Sequence, residues 1–168
     1  MTKKDLQRVR RWRNHPKVRL ASFHQHKIQE TEHGAWFEAK SQDPLSCLLV
    51  YEEEEPIGFV AFYTEDPLWR TAEWSFYTNP EALKGTGSRM ARLALRHAFL
   101  HLGIETLLAK VLYSNPDSLR YHQKLGFEET MMPPIACHPR EGLPFHSLRL
   151  SRHGWEQGQK SLTQGEPP

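Results

Sequence analysis

Lys84-Gly85-Thr86-Gly87-Ser88-Arg89 is the turning point of the chain. Upstream of it, 71–77 alternates and carries Trp74, Phe76 and Tyr77, which reads as a strand. Downstream, 88–102 repeats Met90, Leu93, Ala94, Ala98 and Leu102 every three or four residues, the spacing of one helix face. Glycines allow a tight turn and a close approach of backbone to ligand. The first N–H groups of the following helix have no partner within it, and the helix dipole favours an anion there. Lys84, Arg89 and Arg92 add positive charge nearby. The segment reads either as a plain turn or as a pyrophosphate cradle. It is not a Walker loop, because no Gly-Lys-Ser/Thr follows, and it lacks the third glycine of a dinucleotide fingerprint.

Working outward, 47–51 is a short apolar run that reads as a buried strand. Glu52 to Glu55 form a charged turn, and 57–63 reads as the hairpin partner. Before them, 4–13 carries Leu6, Val9 and Trp12 at helical spacing, with Asn14-His15-Pro16 ending the helix. A second helix is expected from Thr31, with Trp36 and Phe37 on its apolar face. Past the central loop, Gly103 suits a helix end, 106–112 a strand, 116–125 a helix stopped by Gly126, and 127–131 a strand. An irregular loop over 133–144 and a last strand over 145–150 follow. The fold class is an α/β mixture (α+β): one domain over 1–155, with a central, mostly antiparallel sheet flanked by helices. The polar stretch 156–168 reads as a flexible C-terminal tail.

Composition narrows the function. The 168 residues hold 22 Lys and Arg against 20 Asp and Glu, a formal charge of +2, which is not the basic footprint of a nucleic-acid binder. No apolar run approaches the ~20 residues of a membrane span. Two distant cysteines and no secretory signal suit reduced thiols in a cytoplasmic protein, with Cys47 inert in its strand and Cys137 reactive in its loop. His24-x-His26 and His97-x-x-x-His101 pair imidazoles, but no third ligand accompanies either, so no metal is expected.

A second segment, Asn115-Pro116-Asp117-Ser118-Leu119-Arg120-Tyr121-His122-Gln123-Lys124-Leu125-Gly126-Phe127, begins one strand after the glycine loop. Asn115 is placed to cap a helix or to meet an extended ligand. In this order and spacing, the two segments resemble motifs A and B of the GNAT acetyltransferase superfamily. Lys84 stands where motif A has Gln or Arg, Arg89 where it ends in Gly or Ala, and Gly85 and Gly87 supply its glycines. Asn115, Ser118, Lys124, Gly126 and Phe127 fit motif B, with His122 at its tyrosine position and Tyr121 beside it. The entry Arg11-Trp12-Arg13-Asn14-His15-Pro16, with Trp36-Phe37 and Trp74-Ser75-Phe76-Tyr77, resembles the branch that acetylates UDP-linked aminosugars in pseudaminic acid synthesis. A neighbouring branch acetylates N-terminal amines of ribosomal proteins.

The resemblance implies a sheet splayed at the cofactor site and acetyl-CoA as cosubstrate, with no metal. It implies transfer to a small-molecule amine, the amine of a nucleotide-sugar, by direct attack in a ternary complex. The alternatives are a protein N-terminus as acceptor, or a CoA-binding module without catalysis. Neither nucleic acid nor membrane is an expected partner, and the protein is a monomer or homodimer. The cofactor residues implied are Phe76, Tyr77, Lys84, Gly85, Thr86, Gly87, Ser88, Arg89, Asn115 and Ser118. Glu73 is the first candidate base, His122 the candidate acid with Tyr121 as the other possibility, and Asn115 a pantetheine or acid-orienting contact. Arg13, Asn14, His15, Phe23, His26 and His33 are the candidate acceptor contacts, His33 also being a second candidate base.

Overall fold

Three consecutive segments, two apolar runs and one alternating stretch, build the first half of the sheet. The computed structural model describes residues 1–131 and 143–164. Strand β1 (Ser46–Glu52) pairs antiparallel with β2 (Pro56–Tyr63), and β2 pairs antiparallel with β3 (Thr71–Thr78). Strand β4 (Thr106–Leu112) lies parallel to β3, while β6 (Phe145–Ser151) runs antiparallel to both β4 and the short β5 (Glu128–Glu129). The six strands stand in the order β1-β2-β3-β4-β6-β5. The mostly antiparallel sheet expected from the sequence is therefore present.

Because strand side chains alternate, each strand serves two cores. Val60, Phe62, Ala72 and Trp74 face Met90, Leu95 and Phe99 from α4 (Thr86–Arg96) and the π-helical turn His97–His101. Phe59, Ala61 and Tyr63 face the opposite way, onto Val9 and Trp12 of α1 (Leu6–Asn14). Helices thus cover both faces. Gly58 permits the close approach of α4, since a Cβ there would lie 2.5 Å from the Met90 sulfur. His15 is extended before Pro16, ending α1 as expected, but Pro16 then opens the short α2 (Pro16–Arg19), which periodicity does not reveal in four residues. Helix α3 (Glu30–Ser41) buries His33 and Phe37. Helix α5 (Pro116–Lys124) is capped by Asn115, whose Oδ1 accepts from the Ser118 N–H at 3.1 Å.

The second half departs from expectation in three places. The helix over 88–102 changes from α to π at His97, where Leu102 N–H donates to His97 O. The strand expected over 127–131 shrinks to Glu128–Glu129. Across most of the stretch read as a tail, α6 (Arg152–Gln164) continues as helix beyond Trp155, which is buried against Phe99. Cys137 and nearly all of the 133–144 loop lie outside the described residues.

The feature that makes a site is the β3–β4 junction. Their ladder covers only Thr71↔Thr106, Ala72↔Leu107 and Glu73↔Leu108, although β3 continues to Thr78 and β4 to Leu112. Past Glu73 the strands diverge into a V. Asn79 N–H donates to Ile57 O, so odd residues of β3 hydrogen-bond toward β2. The backbone groups of Phe76 and Thr78 therefore face the gap.

Candidate active site

A cleft of about 830 Å³ runs through this V from one face of the sheet to the other. On one side its lining includes Gly85, Gly87 and Ser88 of the glycine loop and Asn115, Ser118, Tyr121 and His122 of the α5 segment. On the other side it is lined by Arg13, Lys17, Phe23, His33, Trp36 and Lys40, from α1, α2, α3 and the loop between α2 and α3. Glu73, Trp74, Phe76, Tyr77 and Lys110 come from the two diverging strands.

The glycine loop has the form an anion requires. Gly85 takes φ +92°, a conformation costly for any residue with a Cβ, and opens α4. Its carbonyl accepts from Ser88 and Arg89 N–H, and Leu83 O accepts from Thr86 N–H; the Gly87 N–H takes no part in these bonds. A Cβ on Gly87 would meet only the Thr78 methyl, at 4.0 Å. An unengaged amide under open space at a helix start fits a pyrophosphate. Lys84 and Thr86 belong to the loop but lie outside the cleft lining, Thr86 being buried. Arg89 is turned away: its Nε donates to Glu53 at 2.7 Å and one Nη to the other Glu53 oxygen at 3.2 Å. That hydrogen bond is the main reason the Glu53 carboxyl is held below its usual range. Arg89 thus ties the loop to the β1–β2 turn.

Helix α5 presents two titratable side chains to the cleft. The Tyr121 hydroxyl donates to Gly87 O at 3.2 Å, and burial raises its pKa, so the proton stays on it at neutral pH. His122 is buried among Trp74, Phe76 and Phe127. Its Nδ1 lies 2.8 Å from Ser118 O, and since a carbonyl only accepts, Nδ1 carries the proton. Burial lowers its pKa, opposed in part by that hydrogen bond, so Nε2 holds a lone pair at neutral pH. Tyr77 lines the cleft with a hydroxyl whose pKa burial pushes far up.

At the point of the V, Glu73 Oε1 lies 3.1 Å from Lys110 Nζ, with only 3% and 8% of the two side chains exposed. Lys110 was not among the expected site residues. A lone lysine inside the apolar strand Thr106–Leu112 was the available signal.

The expected acceptor contacts divide. Arg13, Phe23 and His33 line the cleft. Burial, with the charges of Arg10 and Arg13 adding to it, lowers the His33 pKa to about 4, and its ring stacks on Trp36 at 5.0 Å. Asn14, His15 and His26 lie outside the lining and serve the scaffold. Asn14 clamps Ile28 twice, Nδ2 donating to its carbonyl at 2.9 Å and Oδ1 accepting from its N–H at 2.8 Å. The His15 side chain accepts from Lys17 N–H at the start of α2, and His26 pairs with Glu32 at 2.8 Å on the surface. Among the described residues, no group of three or more His, Cys, Asp or Glu can hold a metal ion, and no helix is long and apolar enough to cross a membrane.

Comparison with known proteins agrees with this geometry. The family model described as acetyltransferase (GNAT) domain matches residues 1–128. The chain is 28% identical over 128 residues to the acetyltransferase PseH of Campylobacter jejuni (serotype O:23/36, strain 81-176), spanning 76% of this chain and 79% of that relative. The spermidine N-acetyltransferase from Vibrio cholerae, solved in complex with CoA and spermine, has a TM-score of 0.77 at 17% identity, covering 93% of this chain and 95% of that one. Campylobacter jejuni PseH in complex with acetyl coenzyme A has a TM-score of 0.66 at 20% identity, covering 90% and 93%. The chain belongs to the GNAT acetyltransferase family and is an acetyl-CoA-dependent N-acetyltransferase.

Proposed function

We propose that this GNAT acetyltransferase acetylates a primary amine on a small anionic molecule, a nucleotide-linked aminosugar, by direct attack in a ternary complex. The observation that carries the reading is the acceptor half of the cleft. Its charged lining is Arg13, Lys17, Lys40 and Lys110 against Glu32 and Glu73, and it places these beside Phe23 and Trp36. Guanidinium and ammonium groups suit phosphates, and aromatic faces suit a nucleobase. The 28% identity to PseH points the same way.

Residues 85–88 would hold the pyrophosphate, while the edge of β3 at Phe76 and Thr78, with Asn115 and Ser118, would hold the pantetheine arm. Acetyl-CoA supplies a thioester carbonyl; a C–N bond forms to the amine as the C–S bond breaks. The chain's own residues handle orientation and two protons. Glu73 takes the proton that the amine sheds, and the backbone N–H groups facing the gap stabilise charge on the carbonyl oxygen. A group on α5 returns a proton to the thiolate. His122 with its Nδ1 proton on Ser118 O can do so only as an imidazolium, a form its lowered pKa makes scarce at neutral pH. Tyr121 keeps its proton there, so we assign the acid to Tyr121 in place of His122.

The test is thiol release from acetyl-CoA with a UDP-linked 4-amino sugar, spermidine and a peptide N-terminus as parallel acceptors. The reading predicts turnover on the aminosugar at the highest kcat/KM. Preference for the peptide transfers the assignment to the protein N-terminal class. Cofactor binding with no turnover on any amine would make the protein a CoA-binding module.

A further inference from the structure

We propose that Lys110 is a charge filter at the floor of the acceptor half, excluding amines that carry further ammonium groups. The inference rests on reading that half of the cleft as the acceptor site. Glu73 is the last residue of β3 in register with β4, and Lys110 follows two residues beyond its partner Leu108, where the strands have begun to part. A strand lysine ordinarily extends its stem so that the head reaches water. Here the head turns inward. Its Nζ lies 3.1 Å from Glu73 Oε1 and 5.8 Å from the centroid of the Phe23 ring, over its face. Phe23 belongs to the loop between α2 and α3, the wall of the acceptor half. The ammonium therefore stands beside the carboxylate, at the wall of the acceptor half.

Stability does not account for this pair. Two charges taken out of water recover little net energy from each other, and an apolar pair of similar volume often serves as well. Specificity does account for it. A further ligand ammonium, beyond the amine that gives its proton to Glu73, meets one already in place, and like charges a few ångströms apart in a poorly solvated site repel strongly. An amine on a neutral or anionic scaffold brings no second ammonium and is admitted. Removing the Lys110 charge takes away the repulsion that a further ligand ammonium meets near Glu73.

Spermine is the probe, titrated calorimetrically into the CoA-loaded full chain, with melting temperature followed in parallel. Lys110→Met is expected to bind spermine at least about tenfold tighter than wild type. Its lowered melting temperature should be restored by spermine. Lys110→Arg, and a double variant combining Glu73→Gln with Lys110→Met, should bind spermine no better than wild type. Equal spermine affinity in wild type and Lys110→Met overturns the proposal, as does tight binding by the double variant. Should Lys110→Met not fold, Glu73→Gln alone decides. With the Glu73 charge beside Lys110 removed, UDP should bind at least about tenfold tighter than to wild type, and unchanged UDP binding overturns the filter. The acceptor reading fails separately, if wild type acetylates no nucleotide-linked aminosugar while these differences persist.

Discussion

Replacing Asn14 by alanine separates a scaffold role from a substrate contact. Asn14 makes two hydrogen bonds to the Ile28 backbone, at 2.9 and 2.8 Å, and together they close the loop that carries Phe23. A typical intramolecular hydrogen bond contributes about 1 kcal/mol net, and the site is partly open to water, so the loss is about 2 kcal/mol. For a chain of this length that corresponds to a fall in melting temperature of about 4–8 °C. Loosening the loop should also raise KM for the acceptor while leaving the dissociation constant of acetyl-CoA unchanged, because the glycine loop lies on the other side of the V. Differential scanning fluorimetry and initial-rate kinetics read both effects. An unchanged melting temperature with a raised acceptor KM would refute the clamp and return Asn14 to the substrate.

Three further outcomes follow from the site. Gly87→Trp fills the open space above the unengaged amide, so calorimetric acetyl-CoA binding should be abolished while the melting temperature of the free protein changes little; undiminished binding would remove the cradle. Tyr121→Phe should lower kcat by about 10²–10⁴-fold with acetyl-CoA affinity retained, and His122→Gln by far less; the reverse order would restore His122 as the acid. His33 is neutral in the folded protein down to about pH 4, whereas its unfolded form takes a proton near pH 6.5. Its folded pKa is thus depressed, so above 6.5 it contributes no pH dependence, and stability is lost as pH falls from 6.5 toward 4. His33→Gln should flatten melting temperature across that window relative to wild type; an unchanged slope would contradict the shift.

What the sequence disclosed depended on how local its signals were. The strands over 47–51 and 57–63 are short apolar runs and 71–77 alternates, and Gly85 and Gly103 mark turns that need positive φ, so these elements agree with the structure to within a residue or two. The glycine loop and the Asn115 cap are likewise contained in short stretches. The acceptor half is not. Asn14 and Arg89 were expected at ligands because their residue types suit ligands, yet one is engaged by Ile28 and the other by Glu53, partners 14 and 36 residues away. Spacing along the chain carries no information about such closures. Lys110 was visible as a charge in an apolar strand, but its meaning depends on Glu73, which reaches it only because β3 and β4 are neighbours across a crossover. Helix α2 is too short for any period to register.

The measurement that bears most directly on the whole account is an initial-rate matrix, varying acetyl-CoA against a UDP-linked 4-amino sugar and following free thiol. A cleft that holds both substrates at once, one on each side of the V, predicts intersecting double-reciprocal lines with one thiol released per acetylated amine. Parallel lines would mean an acetylated enzyme intermediate and contradict direct attack, and the absence of thiol release above the hydrolytic background would contradict the proposed acceptor.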